Sequence, residues 1–365
     1  MRNQERILVA MSGGVDSSAA AALLVEQGVD VTGAYMKNWI NEENILGDCP
    51  WQQDVRDARA VADTLGIPFE IVNLMDDYKS RIVDYLLKGY DEGVTPNPDV
   101  MCNREIKFGV FRDWAKARGF DAVATGHYAR SRLNPDGSRD ILTGLDPNKD
   151  QTYFLAMMQP EQVRDARFPV GELLKPEVRD VARRFKLPNA EKKDSQGICF
   201  IGEVKMSDFL KAYLPDEPGN IVDLDGKTLG THTGLHYYTL GQRKGIGVAS
   251  NLYKKNYVVV EKRKATRELV IAIEEEDTPM LYSDACVLTG LSFTGAPITE
   301  RREMLARARY RAPSEPITFI PLPDGRARVE WAHPQRALAC GQICALYDGD
   351  ILRGGGIYAE IFTCT

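Results

Sequence analysis

The sequence predicts an α/β protein: an N-terminal domain built on a parallel sheet, then a small β-rich central domain, then a C-terminal β-barrel. Three observations carry this. Strand-length apolar runs alternate with helical periodicity between Ile7 and Thr125, and short β-rich runs take over from about Ile221. A chain of 365 residues is also too long for one compact core. The changes of texture put the domains at 1–206, 207–280 and 281–365.

The first element organises the rest. Ile7-Leu8-Val9-Ala10 reads as a buried strand, Met11 to Ser18 as a tight polar turn, and Ala19 to Leu24 as the helix that follows. A strand–loop–helix of this kind aims backbone N–H groups and a helix N-terminus at one spot, which suits a phosphate or pyrophosphate. Gly13 and Gly14 let the backbone approach an anion, Ser12, Ser17 and Ser18 offer hydroxyls, and Asp16 is a candidate ligand for Mg²⁺. The Lys-Ser/Thr pair of a Walker A loop is absent, and so is a G-x-G-x-x-G fingerprint. An ordinary glycine-rich turn is the bland alternative. The segment Ser-Gly-Gly-Val-Asp-Ser resembles the pyrophosphate loop of the ATP-pyrophosphatase superfamily, whose fold is adenine nucleotide α-hydrolase-like and whose members split ATP to AMP and pyrophosphate.

The remaining elements follow in order. Val29 to Met36 is a second strand; Val55, Ala58, Val61, Ala62 and Leu65 mark a helix ended by Gly66; Ile67 to Val72 is a third strand. Helices at Tyr78–Tyr90 and Asn103–Arg118 precede a strand at Asp121–Thr125. In a parallel sheet ligands bind beyond the carboxyl ends of strands, so Ser12, the segment after Met36 and the segment after Thr125 should share one rim. Val178, Val181, Ala182 and Phe185 mark a further helix, with Pro176 suited to its start. Runs at His236–Thr239, Tyr257–Val260 and Leu269–Ile273 read as strands of the central domain. The acidic run Glu274–Asp277 reads as a solvated connection, and turn signals from Pro313 to Gly356 punctuate the final barrel.

Composition excludes whole classes. With 44% hydrophobic and 27% charged residues the chain has no disorder signature. A net charge of −6 argues against wholesale polyanion binding, while basic clusters such as Arg183-Arg184, Lys192-Lys193, Lys262-Arg263-Lys264 and Arg301 to Arg311 leave room for local phosphate contacts. No apolar run reaches membrane length and the N-terminus opens straight into a strand, so we expect a cytoplasmic protein with no membrane partner. The seven cysteines are odd in number and contain no C-x-x-C pair, which favours reduced thiols over a disulfide scaffold. Cys340, Cys344 and His333 are poorly spaced for zinc.

Two cysteines stand in unusual contexts. Cys102 follows the stiff loop Thr95-Pro96-Asn97-Pro98-Asp99 and should lie at or near a helix N-terminus, where the dipole favours thiolate. Asp99 could move a proton or cap that helix, and the two roles are compatible. Cys199 sits in the polar loop Asp194-Ser195-Gln196-Gly197-Ile198. A lone cysteine is ordinarily a small buried hydrophobe, but a pair permits persulfide transfer by thiol–disulfide exchange. Thr125-Gly126-His127-Tyr128-Ala129-Arg130 sets stacking and polar groups on the presumed rim, where a binding role and a structural one weigh about equally.

Six motifs occur in order: residues 12–17, Asn-Pro-Asp-Val-Met-Cys-Asn (97–103), Thr-Gly-His-Tyr-Ala-Arg (125–130), Lys-Asp-Gln-Thr-Tyr-Phe-Leu (149–155), Asp-Ser-Gln-Gly-Ile-Cys-Phe-Ile-Gly (194–202) and Leu-Gly-Gln-Arg-Lys-Gly-Ile-Gly (240–247). Together they resemble the tRNA-specific 2-thiouridylase family over nearly the whole chain. That resemblance implies ATP-dependent thiolation of the wobble uridine in tRNA anticodon stem-loops, by adenylation of the uracil 2-oxygen and sulfur transfer from a cysteine persulfide. It implies Cys102 as nucleophile and Cys199 as persulfide carrier, with a Cys102–Cys199 disulfide or sulfide as the by-product. It implies ATP contacts at Ala10, Met11, Ser12, Gly13, Gly14, Val15, Asp16, Ser17, Met36 and Gly126. Asn97, Pro98 and Asp99 would face the target base. Lys149, Asp150, Gln151, His127, Arg309, Tyr310 and Gln342 would touch tRNA. The sulfur would come from a persulfide relay protein or a cysteine desulfurase. An amidotransferase-type synthetase acting on a small molecule and a nucleotide-sensing module are the competing readings.

Overall fold

The structure is a computed structural model that describes residues 4–39, 51–193, 206–250 and 255–364. Strand β1 (Arg6–Ala10) pairs in parallel with β2 (Asp30–Lys37), and the order β3-β2-β1-β4-β7 is completed by β3 (Phe69–Asn73), β4 (Ala122–Ala124) and β7 (Ala166–Arg167). Every pairing in this sheet is parallel, so its carboxyl ends share one rim. Strands β1 and β2 are almost wholly buried because helices cover both faces. On one face α1 (Val15–Glu26) packs beside α2 (Trp51–Leu65) and α8 (Lys175–Arg184), closing a core of small residues, Ala19 to Ala22, that lets helix and sheet approach closely.

The other face is covered by two broken helical segments. The first joins α3 (Met75–Tyr78), a π turn (Lys79–Val83) and α4 (Asp84–Glu92). The second joins α5 (Pro98–Met101), a run of π turns (Cys102–Val110) and α6 (Phe111–Ala117). The expected helix at Asn103 therefore begins five residues earlier, because Asn97 caps it: its side-chain oxygen accepts from Val100 N at 3.1 Å, and Pro98 supplies a preset φ. Such a cap contributes about 1 kcal/mol. Asp99 is inside the first turn and is not the cap, and Cys102 lies a full turn in, where the dipole's pull on a thiolate has largely faded.

Strands β5 (Ala129–Leu133) and β6 (Arg139–Thr143) form a hairpin, α7 (Pro160–Asp165) leads into β7, and α9 (Met206–Tyr213) leads into the central domain. There β8 (Gly219–Val222), β9 (Thr228–His232), β10 (Tyr257–Arg263) and β11 (Glu268–Ile273) make one sheet in the order β10-β11-β8-β9. The strand expected at His236–Thr239 is absent. Leu235–Tyr237 is a 3₁₀ turn that no described strand pairs with.

The last domain comprises β12 (Tyr282–Phe293), β13 (Arg302–Arg307), β14 (Glu315–Pro321), β15 (Ala327–Arg336), β16 (Ile343–Asp348) and β17 (Ile351–Thr363). Pairing of β12 with β17 closes these six strands into a barrel, which removes the exposed edges. The long strand β17 also pairs with β6, so the β5–β6 hairpin extends the barrel's hydrogen bonding. The acidic connection is only partly solvated: Glu274 accepts hydrogen bonds from Arg243 and Arg336, pinning the central sheet to the barrel, while Glu275 to Asp277 are exposed. No helix among the described residues is long and apolar enough to cross a membrane.

Candidate active site

The loop after β1 is a tight turn held by glycine geometry and hydroxyl hydrogen bonds. Gly13 has φ +76°, and a Cβ there would stand 2.6 Å from the Asp54 carbonyl oxygen, so only glycine fits. Its carbonyl accepts from Asn189 Nδ2 at 2.9 Å and Lys192 Nζ at 3.3 Å, and Lys192 also pairs with Asp54 and Asp57. Ser17 Oγ accepts from Ser12 N at 3.2 Å and donates to the Gly14 carbonyl at 3.1 Å. Helix α1 starts at Gly14 with no side-chain cap, which leaves its first N–H groups for an anion. Ala10, Met11, Val15 and Met36 are buried, so they can offer a nucleotide little beyond backbone atoms.

Gly126 lies where β4 meets this loop. A Cβ on it would be 2.6 Å from Ser17 N and 2.7 Å from Asp16 C, so the glycine is required for backbone to pass backbone at the helix start. At the end of β2, Asn38 is 2% exposed, and neither polar atom of its side chain has a partner among the described residues. Buried amides are rarely left unpaired, and a nucleobase edge on this rim would satisfy both atoms.

One oxygen of the Asp16 carboxylate is already engaged. Oδ1 accepts from Lys175 Nζ at 2.6 Å and from Tyr128 OH at 2.9 Å, and no group of three metal-ligating side chains occurs among the described residues. A cation there would compete with an ammonium already in place. Lys175, which α8 delivers from 159 residues away in sequence, neutralises Asp16 at the start of α1, and nothing in the local sequence pattern signalled it.

The second part of the site is a cavity of about 340 Å³. Asn97, Pro98, Asp99, Arg309, Tyr310 and Gln342, six of the ten residues assigned to base and tRNA, line it together with Tyr153 and Phe154. The domains meet here. Gln342, beside β16 of the barrel, donates to the Thr95 and Pro96 carbonyls at 2.9 and 3.0 Å and accepts from Asn97 Nδ2 at 3.2 Å. Tyr153 OH donates to the Ile343 carbonyl at 2.9 Å, and the Phe154 and Tyr310 rings lie 4.3 Å apart. Arg311 stacks on the outer side of this group, its guanidinium carbon 5.3 Å from the Tyr310 ring centre. Tyr153 and Phe154 were not singled out in the sequence as individual site residues, although they lie within the 149–155 motif.

Because Gln342 holds three groups of the proline-stiffened loop at once, Gln342→Ala is expected to raise the KM for tRNA about tenfold with a smaller change in kcat. Steady-state kinetics on tRNA checks this, and an unchanged KM would show that the loop is held by other contacts.

Other assigned residues are placed less openly. His127 is buried between Phe108 and Phe168, and its Nδ1 shares a 2.7 Å hydrogen bond with the Thr125 hydroxyl. Burial, with the nearby Lys107 ammonium as the lesser cause, holds its imidazole well below the usual value, so it is neutral at physiological pH. The unfolded chain takes up a proton near pH ~6.5 and the folded one does not, so this residue destabilises the fold only as pH drops below that value. Thermal melting between pH 7.5 and 5 should therefore be less pH-dependent in His127→Gln than in the parent; an identical slope would contradict the assignment. Asp150 is also buried: it accepts from Gly144 N at 2.8 Å, bonds Thr152, and is ion-paired with Arg307 of the barrel. Its carboxylate shapes the 146–152 loop and is not presented to a surface ligand. Gln151 accepts from Tyr128 N at 3.1 Å, and Lys149 is half-buried in the same loop. Several basic clusters are likewise spent locally, Arg183 on Glu191 and Asp180, Arg184 on Glu26, and Arg302 on Asp348.

Cys102 is 1% exposed and belongs to the same apolar cluster as Ala10 and Met36 at the carboxyl ends of β1 and β2. Val100, two residues earlier, belongs instead to the cluster of Tyr153 and Tyr310. One helical segment thus joins the cluster beside the aromatic cavity to the cluster that takes in the ends of β1 and β2, with the thiol in the second. The π turns that begin at Cys102 are a form of helix found frequently at functional sites. Cys199 lies outside the described residues, and no disulfide joins two described cysteines.

Comparison with known proteins agrees with the motifs. A family model described as "tRNA methyl transferase HUP domain" matches residues 5–203, a "tRNA methyl transferase PRC-barrel domain" matches 207–273, and an "Aminomethyltransferase beta-barrel domain" matches 283–358. The chain is 58% identical over 356 residues to the tRNA-specific 2-thiouridylase MnmA of Akkermansia muciniphila, covering 98% of this chain and 99% of that one. It is 46% identical over 355 residues to the protein of the same name from Neisseria meningitidis serogroup B, covering 97% and 95%. A Geobacillus kaustophilus relative, tRNA-specific 2-thiouridylase MnmA 1, is 44% identical over 359 residues, covering 98% and 96%. At these identities over almost the full length of each, the chain belongs to the tRNA-specific 2-thiouridylase family.

Proposed function

We propose that this protein is a tRNA sulfurtransferase that replaces the 2-oxygen of the wobble uridine with sulfur in an ATP-dependent reaction. The observation that carries the reading is the aromatic cavity at the domain junction. Residues from the 97–99 segment and from Arg309 to Gln342 converge there, and the helix leaving it carries Cys102 into the apolar cluster that includes Ala10 and Met36. Tyr153, Phe154 and Tyr310 suit a planar base turned out of a single-stranded anticodon loop, where unstacking costs little. In this reading 1–206 carries the nucleotide and the thiols, while 207–280 and 281–365 hold the tRNA.

The 2-oxygen of uracil is a poor leaving group, and bound ATP supplies the adenylate that makes it leave as AMP. The chain's own part is to hold phosphates at Ser12 to Ser17, with α1's N-terminus offsetting their charge, and to seat the base in the cavity. The terminal sulfur of a Cys199 persulfide attacks C2. Cys102 thiolate then attacks the Cys199 sulfur, breaking the S–S bond and leaving a Cys102–Cys199 disulfide while the transferred sulfur stays on the base. Release of sulfide by the same cut before attack is the alternative order. Either way an external dithiol reductant must first supply two electrons to reopen the disulfide, after which a persulfide relay protein or a cysteine desulfurase reloads Cys199.

The test is mass spectrometry of tRNA nucleosides from cells lacking the gene. Loss of 2-thiouridine derivatives, restored by the intact gene, is the expected result. Loss of a methylated nucleoside with 2-thiouridine intact would favour the methyltransferase wording of the family models instead, and an unchanged tRNA profile would favour a small-molecule synthetase.

A further inference from the structure

A second cavity, of about 190 Å³, lies where the end of α4, the segment after α9 and the central sheet meet. None of the six motifs contributes to it. Two nitrogens there have no hydrogen-bond partner among the described residues despite being buried, Lys262 Nζ and His236 Nε2. They are close enough to interact electrostatically, and burial pushes the Lys262 ammonium down to about 8 and the His236 imidazole below its usual value. An unpaired buried ammonium is among the least tolerable groups a fold can carry, and it ordinarily marks a missing anionic partner. Charges of both signs line the rest of the cavity: Lys264, whose ammonium already bonds the Asp91 carbonyl, and Arg267 on one side, and the carboxylates of Asp91, Glu92 and Glu217 on the other.

We propose that this cavity binds a phosphate-class oxyanion between Lys262 and His236. The space is well below the ~300–1,000 Å³ of ordinary ligand pockets, which excludes a nucleoside and suits a single tetrahedral group. Burial lowers the basicity of His236, Glu217 and Asp216 partly offset that, and a bound anion would offset it further. The cavity wall at Gly93 and Val94 continues directly into Thr95 and Pro96, which Gln342 grips at the edge of the base cavity, so occupancy bears on the same loop. The anion is either free phosphate or a phosphate of the RNA backbone, and both present the same chemistry to the two nitrogens.

Isothermal titration of the full-length protein with inorganic phosphate, against potassium chloride of equal ionic strength, tests this without using thiolation as a readout. Saturable binding that weakens at least tenfold in Lys262→Met and in His236→Gln is expected if the ligand is the free ion. If phosphate does not saturate but Lys262→Met weakens tRNA binding about tenfold and lowers the salt slope by about one, the anion is an RNA phosphate. Lys262→Met removes an uncompensated charge and should fold at least as stably as the parent, which a thermal melt verifies. Undiminished phosphate and tRNA binding in both folded variants overturns the proposal.

Discussion

Cys102→Ser and Cys199→Ser each lower thiolation of tRNA by at least about a thousandfold while leaving tRNA affinity within about twofold of the parent. The size follows from chemistry: a serine hydroxyl at neutral pH neither carries a persulfide nor cuts an S–S bond. The two losses should not add, because the thiols act on one sulfur atom in sequence, so the double variant is no worse than either single one. Cys102 is the sharper test. Its burial in the cluster with Ala10 and Met36 is also what an inert core thiol would show, and for such a residue serine would lower stability and leave catalysis in place. Radiolabelled-sulfur transfer to tRNA, with a filter-binding assay and a melt on the same preparations, separates the outcomes. Normal thiolation by either variant removes the sulfur-relay reading.

Gly126→Ala should cut ATP-dependent pyrophosphate release by about a hundredfold or more with tRNA binding preserved. The added Cβ meets Ser17 N at 2.6 Å and Asp16 C at 2.7 Å, and both are backbone atoms with nowhere to retreat. The start of α1 must therefore move, and with it the N–H groups that face the phosphates and the Asp16 carboxylate that Lys175 and Tyr128 hold. A displacement of about 1 Å at a phosphate cradle is enough for a loss of this size. Pyrophosphate release measured with and without tRNA reads it directly. Parent-like release would mean that the loop tolerates the shift and that its geometry is not what positions ATP.

Legibility followed sequence distance. The strand, turn and helix at 7–24 were readable because strand pattern, glycines and helix start lie within one short stretch and each is governed by local backbone physics. The later change to short strands with turn residues was readable for the same reason. Misreadings arose where a distant group decided the outcome. Glu274 read as solvated until Arg243 and Arg336 closed on it. The helix start shifted to Pro98 because Asn97 competes better for the cap than Asp99.

By itself the sequence determined the fold class, the phosphate loop and the family, since each rests on residue types in fixed local order. Tertiary structure alone decided that Asn97 and Gln342 share a cavity, that a lysine from α8 pairs with Asp16 at the start of α1, and that Cys102 is buried in one cluster with Ala10 and Met36. The reason is physical: local pattern fixes φ, ψ and which face is apolar, whereas a site assembled across domains depends on which faces meet, and that is settled by burial and charge pairing over the whole chain.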